Sequence, residues 1–150
     1  SNWSVASSTS GWIFMRGCGA IAWASKKQSS IALSSCEAEI MAASLCATQA
    51  LYHRGLMRDI GQEQRDPTVL WLDNKAAIDL SHDPLTHGLA MHIERRHLKV
   101  RELQAKGEVT VHKVHTDDNY ADLFTKVLDR PRFEKLRAWV MNIKGLGYSG

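Results

Sequence analysis

Residues 34–44 read SSCEAEIMAAS and set two glutamates, Glu37 and Glu39, at the mouth of a helical stretch. Ser34 and Glu37 match the S-x-x-E capping box, in which two side chains satisfy the first orphan N–H groups of a helix. Met41, Leu45, Thr48, Tyr52 and Leu56 then recur at helical spacing, so a helix is predicted over 36–60, stopping near Gly61. Glu37 therefore has a local structural task. Glu39 has none, and it lies in the first turns of the helix.

Upstream, GWIFM (11–15) and AIAWA (20–24) each read as a short strand, separated by RGCG. Gly17 and Gly19 suit a tight turn, which predicts a hairpin over 12–25. SKKQSS (25–30) is a basic loop and IALSS (31–35) a third short strand. The first ten residues are Ser-rich and carry no periodic pattern. Downstream, TVLWLDN (68–74) has four successive apolar residues before Asp73, the mark of a strand buried on both faces. KAAIDL (75–80) reads as a short helix, SHDPLTHG (81–88) as a loop and 91–106 as a second long helix ending at Gly107. EVTVHKVH (108–115) alternates like a strand, DDNYADLFTKV (117–127) reads as a helix with an acidic entry, and Pro131 suits the first turn of a last helix over 131–142. The order β-β-β-α-β-α-α-β-α-α implies an α/β protein, a mixed sheet with helices packed on it, in one domain spanning 1–150.

The bulk properties narrow the function classes. The chain has 150 residues, 44% hydrophobic and 23% charged, which suits an ordinary globular domain. The most apolar run, 40–52, is too short and too interrupted to cross a membrane, and no secretory signal pattern opens the chain. The cysteines, 18, 36 and 46, are odd in number and lack metal-type spacing, which favours a reducing, intracellular compartment. A net charge of +3 permits a nucleic-acid partner without demanding one.

Three carboxylates sit at element ends: Glu39 early in the long helix, Asp73 after the apolar strand and Asp122 after the last strand. In sheet-based folds such ends gather at one rim, where ligands bind. Carboxylates crowded there need a cation, and hard oxygen ligands suit Mg²⁺ or Mn²⁺. Two such ions can clamp a phosphodiester between an attacking water and a leaving oxygen. The competing reading is local: an Asp after a strand forms turns, and an Asp opening a helix offsets the macrodipole.

STSGWIF (8–14), residues 19–42, LWLDNKAAIDL (70–80), HIERRHLKVRE (92–102), DDNYADLFTKVL (117–128) and RPRFEKLR (130–137) resemble, in order, the ribonuclease H domain of copia-type LTR retrotransposon Pol polyproteins. The resemblance runs over about 8–142. It implies a ribonuclease H-like fold and Mg²⁺-dependent hydrolysis of RNA in RNA/DNA hybrids. It also implies a reverse transcriptase domain of the same polyprotein as neighbour, and a home in the cytoplasm, a virus-like particle or the nucleus. In that family Glu39, from EAEIMA, Asp73, from LDN, and Asp122, from NYADLFTK, take the positions of metal-binding catalytic carboxylates.

The sequence departs from the family at the first catalytic aspartate, carried there on the first strand within YSDADWAG. Here that region reads SNWSVAS, and no aspartate precedes Glu37. Either Asn2 stands in its place or the position falls before Ser1, so the first strand is expected to be truncated. Without that ligand, metal affinity and turnover should fall sharply. A module of the same fold that binds nucleic acid or braces a reverse transcriptase domain without cleaving is the alternative function.

Substrate-facing candidates follow. Lys26, Lys27, Gln28, Ser29 and Ser30 form a basic, hydroxyl-rich loop able to meet phosphates or 2′-OH groups, or simply a solvated loop. Asn74 either reaches the minor groove or caps the following helix. His92, Arg95, Arg96, His97, Lys99 and Arg101 crowd one helix, as a polyanion-binding or a solvated face. His115 loosely resembles a proton-shuttling histidine of some ribonucleases H, a task that suits imidazole near neutral pH. His82, His87, His92 and His97 share no helix face and do not read as a zinc site. Trp12, Trp23, Trp71 and Trp139 read as packing residues.

Overall fold

The structure is a computed structural model that describes residues 9–28, 35–75, 78 and 91–143. Its elements, in chain order, are β1 (Thr9–Arg16), β2 (Gly19–Lys27), α1 (Ser35–Asp59), β3 (Thr68–Leu72), α2 (Met91–Ala105), β4 (Val109–Lys113), two 3₁₀ turns (Thr116–Asp118 and Tyr120–Phe124) and α3 (Arg130–Val140). The chain divides into two compact units, one of Ser1–Ala32 with His115–Gly150, the other of Leu33–Val114. The α/β class matches the expectation. Among the described residues, however, the strands form two two-stranded ladders, β1–β2 and β3–β4, where one mixed sheet was expected. Of the expected third strand, 31–35, only Ser35 is described, and it opens α1. Ser34, Ser29 and Ser30 lie outside the described residues, as do most of 75–80 and all of 81–88.

In the first unit, β1 and β2 pair antiparallel about Gly17 and Cys18. Gly17 has φ +59°, the conformation a two-residue hairpin turn asks of its first residue. Pairing slips by one residue between Phe14 and Met15, the signature of a bulge. Trp12 and Phe14 project from one face and meet edge to face, with centroids 5.4 Å apart. Gly11 lies on the opposite face, where the second 3₁₀ turn presses against β1. A Cβ at Gly11 would lie 2.5 Å from Thr125 Cγ2 and 3.1 Å from Phe124 Cβ. Gly11→Ala is therefore expected to cost about 2 kcal/mol in overpacking, read as a lowered urea midpoint with unchanged slope.

The expected helix over 117–127 is instead two 3₁₀ turns. Asn119 interrupts it: its backbone is extended (φ −79°, ψ 100°) and its side chain accepts the N–H of Ala121. A residue that caps the next turn cannot also continue the last one. Pro131 stands at the start of α3, as its fixed φ allows. Leu136, Ala138 and Val140 bury that helix, and Tyr120 meets Trp139 edge to face at 5.4 Å.

In the second unit, α1 runs for 25 residues and stops at Gly61, whose φ of +75° suits a glycine ending a helix. Its buried residues are Glu37, Ile40, Met41, Ala43, Ser44, Ala47 and Ala50. The large apolar residues Tyr52 and Leu56 of the expected stripe are exposed; the alanines face the interior instead. The helix packs on α2 and β3. β3 and β4 pair parallel, which requires a crossover connection, and α2 lies within it. The expectation that β3 is buried on both faces is corrected. Leu70 and Leu72 are buried, but Val69 is 41% and Trp71 59% exposed, because α1 covers one face only. Trp23 is equally exposed, so neither it nor Trp71 is a core residue.

Arg54 of α1 staples this unit. Its Nε donates to Glu108 Oε2 at 2.9 Å, Nη1 to the carbonyl of Asp66 at 2.7 Å and to Thr68 Oγ1 at 3.2 Å, and Nη2 to the carbonyl of Gln64 at 2.8 Å. One planar fork thus ties the helix to the 64–68 loop and to the entry of β4.

Candidate functional site

Glu39 is the fifth residue of α1, half-buried. Asp73 follows the last residue of β3 directly and is also half-buried. Beside it, the carbonyl of Asn74 accepts the N–H of Ile78 at 3.1 Å, the i to i−4 bond of a helical turn. These three belong to the 33–114 unit, with His92 and Arg95, which are exposed on α2. Arg96 and Arg101 are half-buried and Lys99 is exposed on the same helix. His97 is not part of that basic face: it is 1% exposed and belongs to the interior. In an α-helix the positions 93, 97 and 100 share one face, and Ile93 and Val100 carry His97 inward.

Asp122, His115 and the Lys26–Gln28 stretch belong to the other unit. Lys26 and Lys27 end β2 and are exposed. Gln28 is buried instead, and its Nε2 donates to Ser10 Oγ at 2.8 Å. His115 is exposed, and its Nδ1 accepts the backbone N–H of Asp117 at 3.2 Å, capping the first 3₁₀ turn.

Asp122 is the third residue of the second 3₁₀ turn and is 2% exposed. An isolated carboxylate buried so deeply would be costly. Two cations compensate it. Lys126 Nζ lies 3.0 Å from Oδ1 and 3.1 Å from Oδ2. Arg132 of α3 donates from Nη2 to Oδ2 at 2.5 Å and, from the same nitrogen, to the carbonyl of Thr116. The sequence reading missed both cations. Lys126 is four residues beyond Asp122, a spacing at which opposite charges pair, and that signal was available. Arg132 offered none.

Two thiols are set back from reactivity. Burial, and then the charges of Glu37 and Glu39, push the Cys36 thiol up. Burial alone pushes Cys46 up to about 12.

Known proteins were compared with the chain. No family model matches it, and no solved structure does. It is 35% identical over 127 residues, 85% of its length, to the retrovirus-related Pol polyprotein from transposon TNT 1-94 of Nicotiana tabacum. The chain belongs to the retrovirus-related Pol polyprotein family of copia-type transposons. The Pol polyproteins from transposons RE2 and RE1 of Arabidopsis thaliana are 31% and 32% identical to it, over 91% and 85% of the chain. The chain spans about a tenth of the length of these curated Pol relatives, covering 10%, 9% and 9% of them.

The divalent metal implied for this Pol segment can be tested against the residues present. Glu39, Asp73 and Asp122 have the hard oxygen donors that Mg²⁺ prefers. Asp122, held by Lys126 and Arg132, does not fit it as it stands. Among the described residues, no group of three or more His, Cys, Asp and Glu side chains is placed to hold a metal ion. Both oxygens of Asp122 already face a cation. No helix among the described residues of the Pol segment is long and apolar enough to cross a membrane.

Proposed function

We propose that the chain is the ribonuclease H-type segment of a transposon Pol polyprotein. Its ligand is an RNA/DNA hybrid, and the reaction of its class is hydrolysis of the RNA strand. Mg²⁺ is the expected cofactor, with Mn²⁺ as substitute, and a reverse transcriptase segment of the same polyprotein is the expected neighbour. The observation that carries the reading is where the three carboxylates singled out by the resemblance stand along the elements. Glu39 lies in the first turns of α1, Asp73 directly after β3 and Asp122 in the turn region after β4. Kinship with Pol polyproteins over most of the chain supports it. Exposed Lys26, Lys27 and Arg95 supply charge for phosphates, and exposed His92 a ring nitrogen for hydrogen bonding.

Turnover by this chain is expected to be slow, because Asp122 is ion-paired with Lys126 and Arg132. The same fact also favours a non-cleaving module that only binds hybrid. Incubation of the chain with an end-labelled hybrid and Mn²⁺ separates the two. The nuclease reading expects slow release of RNA fragments and at least a roughly tenfold loss on Glu39→Gln, since removing a group acting in the transition state lowers kcat and kcat/KM together. Equal cleavage by Glu39→Gln would remove Glu39 from the site. Binding without any cleavage would favour the module.

A further inference from the structure

The α3 sequence, RPRFEKLRAWV, sets four cations against one carboxylate in 11 residues. Two of the cations are committed to the protein itself, Arg132 to Asp122 and Lys135 to Asp118. The other two face outward. At 3.6 residues per turn Arg130, Phe133, Arg137 and Met141 share one side of the helix, and all four are exposed, Phe133 by 43% and Met141 by 65%. The Arg137 guanidinium lies over the Phe133 ring, 5.9 Å from its centroid, and meets no carboxylate among the described residues. Arg130 pairs through Nε with Glu134 at 2.8 Å, an exposed pair of little strength, and its two Nη nitrogens meet no acceptor among the described residues. A basic residue in the last turn offsets the helix macrodipole, which accounts for Arg137 but not for Arg130 and Phe133 on the same side.

We propose that this face of α3 binds a single-stranded polynucleotide, with phosphates at Arg130 and Arg137 and a base stacked on the Phe133–Arg137 pair. Positive charge beside an exposed aromatic ring is the combination by which proteins hold single strands without reading their sequence. Charge complementarity selects a polyanion. The ring and the planar guanidinium select a polyanion with flat groups to stack, hence a strand with bases over an acidic peptide. A duplex keeps its bases stacked within itself and offers this face only phosphates. Arg130 and Arg137 stand about 10 Å apart along the helix axis, with Phe133 between them. The inference rests on the chemistry of α3 and requires neither cleavage nor hybrid binding.

Fluorescence anisotropy of a short labelled single-stranded RNA, titrated with the full chain in EDTA, tests this face. The parent should bind the strand more tightly than an abasic strand of the same length. Phe133→Leu keeps the apolar bulk and loses the ring; it should bind the strand at least about fivefold more weakly, the low end for one stacked base, and the abasic strand as the parent does. Phe133→Tyr should retain the parent's affinity. Arg137→Gln should flatten the slope of log affinity against log salt by about 0.7, the share of one phosphate contact on a single strand. These differences should persist when Lys26 and Lys27 are both replaced by Gln, and circular dichroism checks that each variant folds. Equal binding of the strand by Phe133→Leu and the parent would overturn the proposal, as would equal binding of the normal and abasic strands, an unchanged slope in Arg137→Gln, or no binding at all. So would a polyglutamate peptide that displaces the strand as well as unlabelled RNA does. A chain that binds the hybrid but shows no dependence on Phe133 loses this face and keeps the hybrid as ligand.

Discussion

Replacing Arg54 by alanine is expected to lower stability by about 3 kcal/mol. The substitution removes four hydrogen bonds made by one side chain and leaves the carbonyls of Gln64 and Asp66 and the carboxylate of Glu108 without that donor. Arg54 is 14% exposed, so its side water replaces little of what is lost; Glu108, at 40%, can rehydrate, which keeps the figure below that for a fully buried pair. Arg54→Lys should recover only a minor part, because an ammonium cannot reproduce the planar fork. Urea denaturation measures the loss. Amide exchange supplies the local test: the N–H of Thr68, bonded to the Glu108 carbonyl at 2.9 Å, should exchange faster in the variant. A loss under about 1 kcal/mol would mean that the fork is a surface contact and not a staple.

Asp122→Ala is expected to lower stability by about 2 to 3 kcal/mol, with the carboxylate's charge as the cause. Asp122 is 3% exposed and Arg132 22%, so the variant strands a largely desolvated guanidinium. Lys126 is half exposed and rehydrates, which discounts its share. Asp122→Asn keeps the shape and removes the charge, and should lose nearly as much. A double-mutant cycle with Arg132→Ala should return a coupling of about 1 kcal/mol or more, since the residues share one contact. The sign of the effect is informative. A carboxylate kept only for an absent ion would be a buried, uncompensated charge, and its removal would stabilise the protein.

How much of this was legible in the sequence depends on distance along the chain. The ends of α1 and α2 were readable because Gly61 and Gly107 adopt positive φ just beyond the last turns. The hairpin was readable from Gly17 and the flanking β-formers. The face of β3 was not. Four apolar residues in a row look like burial on both sides, yet burial is decided by what covers each face, and Val69 and Trp71 stay largely exposed. The alanines of α1 were passed over for larger residues, although small side chains let α2 approach its buried stripe. The helix expected at 117–127 failed at Asn119, whose capping bond to Ala121 a propensity scan does not see. Of the candidate site, Glu39 lies early in α1 and Asp73 directly after β3, as those readable ends led one to expect, while Asp122 lies in the middle of a 3₁₀ turn and not at the start of a helix. The pairing of Asp122 with Arg132 was not, since ten residues and a change of element separate them. Nor was the interior place of His97, a titratable residue in a stretch otherwise rich in charge.

The proposed ligand of this Pol-family segment is an RNA/DNA hybrid. Fluorescence anisotropy in EDTA, with a labelled hybrid and a DNA duplex of the same sequence, tests it without requiring catalysis. Binding to the hybrid is expected to be tighter and to weaken steeply as salt rises, because phosphate contacts release counterions. Equal affinity for the two duplexes, or none for either at low salt, would contradict it.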